Sequence, residues 1–193
     1  NPVKVLPYAW VILAAAYLAS VAGPFNQNKV PPILSVLVEA FQVDLATAGS
    51  LVSMMAFTGL VLALPAGLLL RRFGPKWSGL LALGSIGLGA ALGALAPNFT
   101  LLMLSRVLEG IGIGLIGVIA PALIAMWFPP ERRGMPMGVW ATWVPIGTIL
   151  MYQLAPRMAT GLGWRSVWWL GALYSRVVFV FYGLAARLPP QTV

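Results

Sequence analysis

Residues 45–76 read LATAGSLVSMMAFTGLVLALPAGLLLRRFGPK, in which the stretch from Leu45 to Leu70 carries no charge and is closed by Arg71, Arg72, Gly74-Pro75 and Lys76. About 20 apolar residues in a helix cross the roughly 30 Å of hydrocarbon in a bilayer. No water is available there to satisfy backbone groups, so a run of this length has to be helical. The basic turn that ends it marks a cytoplasmic boundary, because loops on that side collect Lys and Arg.

The same pattern extends in both directions. Charge-free stretches cover 5–28, 77–105, 110–130 and 134–156 as well, and 166–186 is apolar apart from Arg176 at its middle. We expect helices over about 7–36, 45–69, 77–96, 100–127, 136–157 and 165–186, a single all-α membrane domain over residues 1–193 with six transmembrane helices. Tyr8, Trp10, Trp77, Trp127 and Trp164 fall near the expected ends, where an amphipathic ring suits the headgroup region. The chain opens on Asn1 rather than Met, which fits a trimmed start.

Composition excludes whole classes of function. Hydrophobic residues make up 60% of the 193 and charged ones 8%, against roughly 25% charged in an ordinary soluble domain. A soluble or disordered chain is ruled out. With no Cys and no His, thiol nucleophiles, His-based triads, zinc sites and His-ligated haem are excluded. We therefore expect no enzyme, no cofactor, no metal and no nucleic-acid partner.

Orientation follows from the loops. With a cytoplasmic N-terminus, that side holds Lys4, Arg71, Arg72, Lys76, Arg132, Arg133 and Arg187, and the other only Arg157 and Arg165. Both termini are then cytoplasmic, in the plasma (inner) membrane of a cell. The rows Gly89-x-x-x-Gly93 and Gly110-x-x-x-Gly114 permit close helix approach. A shift of 89 residues lays Gly23 on Gly112, Pro32 on Pro121, Gly49 on Gly138 and Gly74-Pro-Lys76 on Gly163-Trp-Arg165. A repeat of three helices inverts the second copy, so the expected architecture is a 3+3 inverted repeat.

These residues carry a resemblance. Gly67-Leu-Leu-Leu-Arg71-Arg72-Phe-Gly74-Pro75-Lys76 resembles the loop signature of the major facilitator superfamily, G-x-x-x-D-R-x-G-R-[KR]. Arg106-Val-Leu-Glu109-Gly110 in the fourth expected helix resembles that family's R-x-x-x-G motif, and Trp127-Phe-Pro-Pro-Glu131-Arg132-Arg133-Gly134 resembles its second basic loop. The resemblance implies the N-terminal six-helix half of a twelve-helix transporter. It assigns Gly67, Arg71, Arg72, Gly74 and Lys76 to a conformational loop, although Arg71 stands where the family has an acid and Pro75 where it has a base. Asn26-Gln-Asn-Lys-Val-Pro-Pro and Phe57-Thr-Gly-Leu-Val-Leu-Ala-Leu-Pro-Ala-Gly67 are similar to the cyanate-permease-like branch.

Polar residues inside spans are costly and tend to face the bundle interior. Gly23-Pro24 can open the first helix, beside the polar run Asn26, Gln27, Asn28 and Lys29. That run either lines a cavity or ends the helix early with Lys29 snorkelling outward. Arg106 and Glu109, three apart, can pair on one face, and Arg106 either neutralises Glu109 or binds an anionic group and tunes a proton there. Trp143, Tyr152 and Gln153 are the remaining candidates for the solute path. Asn98-Phe-Thr100 fits a glycosylation sequon, read as accidental in so short a loop, and Arg176 has no role in this scheme.

The expected function is half of a secondary active transporter that moves a small anionic solute by alternating access with proton coupling. Its partners are the bilayer, a small-molecule substrate, and either a missing second half or a second copy in a homodimer. The alternatives are an oligomeric six-helix channel and an isolated domain that transports nothing. The chain lacks native cysteine, so the topology is directly testable: a single Cys at position 74 should stay unlabelled by an impermeant thiol reagent outside intact cells and label once the membrane is opened. Labelling from outside would reverse the orientation.

Overall fold

The computed structural model describes residues 6–187. All regular structure among them is helical: α1 (Tyr8–Gln27), α2 (Leu34–Phe41), α3 (Leu45–Ala94), α4 (Phe99–Trp127), α5 (Gly134–Ala141), α6 (Trp143–Leu162) and α7 (Trp164–Ala185), with 3-10 turns at Pro31–Ile33 and Pro130–Arg132. Lys4, counted above with the basic side, lies outside the described residues. Two helices start on side-chain caps. The Asp44 carboxylate accepts from Thr47 N (2.8 Å) and Thr47 Oγ1 (2.7 Å), which also holds its pKa below the ordinary carboxylate range. Asn98 Oδ1 accepts from Leu101 N at 2.9 Å, so the residue of the apparent sequon is a helix cap.

Three expected boundaries are corrected. The helix expected over 7–36 stops at Gln27. There Asn28 returns both its backbone N–H and its side-chain amide to the Pro24 carbonyl, and Pro31-Pro32 cannot continue a helical hydrogen-bond ladder. The helix expected over 136–157 is broken at Thr142, because Pro145 has no N–H to offer the Ala141 carbonyl and the chain tightens into a turn. The helices expected over 45–69 and 77–96 instead run together as the fifty residues of α3. They remain two rods, since Gly74 between them has φ 74° and ψ 169°, a conformation that favours glycine. The kink is held from outside: Ser78 Oγ donates to the Leu69 carbonyl across it (3.3 Å), and Tyr182 of α7 donates to the Pro75 carbonyl (2.8 Å).

Four stretches among the described residues are long and apolar enough to cross a membrane: Tyr8–Phe41, Leu45–Ala94, Phe99–Trp127 and Trp164–Ala185. This is an integral membrane protein. α6 has the length, but Gln153 and Arg157 dilute its apolarity.

α4 is the axis on which the others pack. The first rod of α3 lies so close to it that a Cβ on Gly114 would collide with the Gly59 carbonyl. The second rod lies against the opposite side, where a Cβ on Gly112 would collide with the Ala82 carbonyl. Such contacts replace hydrophobic driving force as the source of helix association in lipid. α1 packs against α4, α6 and α7. Hydroxyl bonds fasten its length, from Tyr8 to the Ala185 carbonyl (2.8 Å) to Trp140 Nε1 donating to Ser20 Oγ (2.9 Å). The seam yields a controlled comparison: Gly114→Ala should lower stability by about 1–3 kcal/mol through overpacking. Gly117→Ala, where an added Cβ meets nothing, should change it by at most about 0.5–1 kcal/mol. Denaturation of the two variants in detergent checks this, and equal melting would dissolve the assigned seam.

Candidate functional site

Because α1 stops at Gln27, its last carbonyls lack the N–H partners that a continuing helix would supply. They are met from α4. Arg106 Nη1 donates to the Asn26 carbonyl (3.1 Å) and Nη2 to the Gln27 carbonyl (3.2 Å), while Nε reaches the Leu51 carbonyl in α3 (3.2 Å). A cation at a helix C-terminus also suits the helix dipole. Arg106 therefore joins three helices through one planar fork.

The charge on that fork is met by Glu109, whose Oε2 accepts from Arg106 Nη1 while Oε1 accepts from Lys29 Nζ. All three side chains are fully buried. Lys29 also donates to Asn26 Oδ1 (3.1 Å) and stands 4.8 Å from the centre of the Trp168 ring in α7, a cation–π contact. The Asn26 amide in turn donates to Ser175 Oγ of α7 (3.3 Å) and to the Ala22 carbonyl (3.0 Å). With two cations on one carboxylate, the cluster carries a net charge of +1.

The expected pairing of Arg106 with Glu109 is present. Of the two readings of the polar run, the early helix end is present, with α1 stopping at Gln27, but Lys29 does not snorkel: the turn at 28–30 folds it back, and Glu109 offers its ammonium a better partner than a distant headgroup. Asn26 is buried in the cluster, whereas Asn28 is half-buried and donates to Thr148 Oγ1 of α6 at 3.0 Å. Trp143 stacks on Trp140, ring centroids 5.8 Å apart, and covers Gly23, so it packs the α1–α6 contact. Tyr152 and Gln153 are exposed on α6, apart from the charges. Gly67, Arg71, Arg72, Gly74 and Lys76 gather at the α3 kink, with Arg71 and Arg72 exposed and Arg72 over the Phe73 ring. In the second basic loop Arg133 caps α4, donating to the carbonyls of Phe128 (2.7 Å) and Ala125 (2.5 Å).

Trp168, Ser175, Tyr17 and Thr142 were not singled out from the sequence. The first two complete the cluster, and the Tyr17 and Thr142 hydroxyls share a hydrogen bond (2.9 Å) along the α1–α6 contact. Ser175 stands beside the conspicuous Arg176, and a small hydroxyl in a span was the only signal it offered.

The family model described as Major Facilitator Superfamily matches residues 10–193. The chain is 26% identical to the lincomycin resistance protein LmrB of Listeria monocytogenes, over 88% of this chain and 36% of that protein. It is 27% identical to the galactose-proton symporter of Escherichia coli, over 87% of this chain and 36% of the symporter. The chain thus spans about a third of the length of these relatives. Its fold is similar to the crystal structure of a D-xylose-proton symporter, with a TM-score of 0.82 at 18% identity, covering 95% of this chain and 49% of that one.

The uneven charge count orders the effects of substitution. Glu109→Gln strands two buried cations and should cost about 3–5 kcal/mol. Lys29→Met leaves a neutral Arg106–Glu109 pair and should cost less, and adding it to Glu109→Gln should return part of the loss. A double-mutant cycle on stability in detergent measures this. Greater damage from Lys29→Met than from Glu109→Gln would contradict the assigned charges.

Proposed function

The chain belongs to the Major Facilitator Superfamily, and on that premise we propose that it is half of a secondary active transporter that moves a small anionic solute by alternating access. Counting α3 as two spans and adding α6 to the other long helices makes six, read as two inverted triplets. Both termini lie in the cytoplasm, and the partner is a second half or a second copy. Within the family, the likeness of Asn26–Pro32 and Phe57–Gly67 to the cyanate-permease-like branch supports a reading of the chain as one of that branch.

The observation that carries the anionic reading is the net positive charge of Lys29, Glu109 and Arg106, buried where α1 breaks. A low-dielectric surround leaves that field unscreened, so it attracts an anion entering beside it. Asn28, just past the end of α1, and Trp143, Tyr152 and Gln153 of α6 border the solute path. Arg106 couples binding to movement: its bonds to the Asn26 and Gln27 carbonyls are bonds to neutral acceptors, and an anion forms stronger, charge-assisted ones. Exchanging the carbonyls for the solute frees the end of α1 from α4, which gives the rocking halves a reason to move. Proton coupling enters at the same place, because any proton lost or gained by the cluster alters the charge the anion meets. The basic residues of the α3 kink, Gly67 to Lys76, form the hinge at the other end.

Uptake of small anions into proteoliposomes, with the chain in its active assembly, tests the reading. Saturable uptake is expected, and non-saturating conductance would indicate a channel. Arg106→Gln and the double change Arg106→Gln with Glu109→Gln should both abolish transport. Normal transport by the double variant alone would reduce Arg106 to a structural counter-ion.

A further inference from the structure

Arg176 lies in the middle of α7, twelve residues after Trp164 and nine before Ala185, or about 18 Å and 13 Å along the helix at 1.5 Å per residue. It is exposed, and it has no hydrogen-bond or ion-pair partner among the described residues. Both helix ends lie farther along the axis than an extended arginine side chain reaches. Snorkelling does not resolve its position, and a guanidinium at this depth needs an acceptor brought to it.

Beside it is a groove of about 540 Å³ between the second rod of α3 and α7, within the range of small-ligand sites. Its walls are apolar, among them Leu83, Leu88, Trp169, Leu173 and Phe179, and Arg176 is the charged residue on its rim. A second copy of this chain offers no free acidic side chain at that depth. Of the four acidic residues, Glu109 is buried and paired, while Glu39, Asp44 and Glu131 sit at helix ends or in turns. The occupant must be apolar along its length and bear a compact negative head able to lie well below the membrane surface. A bulky phospholipid headgroup fits that depth poorly, and a single carboxylate fits it well.

We infer that the α3–α7 groove is a binding site for a single-chain amphiphilic carboxylate of the long-chain fatty acid type, with its head on Arg176 and its tail along Leu88, Leu173 and Trp169. The head forms a two-point pair with the guanidinium, a geometry that arginine presents and lysine does not. Ser175 lines the groove and also accepts from Asn26 of the charged cluster, but the head is held by Arg176 and binding is read without any transport assay, so the site is tested separately from the solute path.

The test is quenching of Trp169 by a dibrominated stearate, in the chain purified in a neutral detergent. The Trp169 contribution is the difference from Trp169→Phe. Saturable quenching is expected, with affinity weaker by about tenfold or more in Arg176→Gln and intermediate in Arg176→Lys. Arg176 makes no hydrogen bond or ion pair among the described residues, so its variants should melt like the parent, and the melts are recorded to confirm it. The inference is overturned if Arg176→Gln gives the parent curve, or if the methyl ester quenches as tightly as the acid. It is also overturned if a phosphatidylglycerol displaces the brominated acid at a lower mole fraction than stearate does, since the head would then be a phosphate. A lipid-free dimer that buries Trp169 would replace the ligand with a protein interface.

Discussion

A carboxylate held in hydrocarbon has to be matched by a cation, and Glu109 is matched twice. Each of its oxygens receives a different cation, one from the broken end of α1 and one from its own helix. Sharing an acid between two bases leaves one positive charge in excess, so the cluster is held by geometry and hydrogen bonds more than by charge balance. The further bonds of Arg106 go to backbone carbonyls of α1 and α3, and those of Lys29 and Asn26 reach α7. Four helices are thereby referred to one carboxylate. An interaction of this kind contributes little net stability when whole and is severely felt when broken.

The joint depends on the glycine seam. Glu109 can stand within reach of α1 because α4 is drawn tightly onto both rods of α3, and the two kinds of close approach are adjacent in sequence: Glu109 is followed by Gly110, Gly112 and Gly114. Gly89, on the second rod, lies directly against the Glu109 backbone. A side chain there would push the carboxylate away from Lys29. The kink at Gly74 lets one continuous chain embrace α4 from two sides, and the Pro75 carbonyl that the kink exposes is taken up by Tyr182.

Much of this was legible in the sequence. Charge-free runs located the helices to within a few residues wherever a charge or a cap bounded them, as at Asp44 and Asn98. The i, i+3 spacing of Arg106 and Glu109 announced their pairing. Boundaries failed where proline acted at a distance: Pro145 ends a helix three residues earlier, at Thr142, and Pro31-Pro32 stop a run that remains apolar beyond them. Lys29 was ambiguous for a different reason. A lysine near a helix end is equally suited to a headgroup and to a buried acid, and the acid it pairs with lies 80 residues away. Only the three-dimensional arrangement brings them together. Ser175 and Trp168 were illegible because, in a span already rich in apolar and small residues, neither breaks the pattern.

The order of the chain has a consequence for how the protein is made. Lys29 leaves the ribosome and enters the membrane long before Glu109 has been synthesised, and Ser175, which fixes Asn26, comes last of all. During synthesis the ammonium of Lys29 thus precedes the carboxylate that it pairs with in the folded bundle. The distance in sequence between Lys29 and Glu109 therefore imposes an order of assembly, since the end of α1 cannot take its final place before α4 is present to receive it.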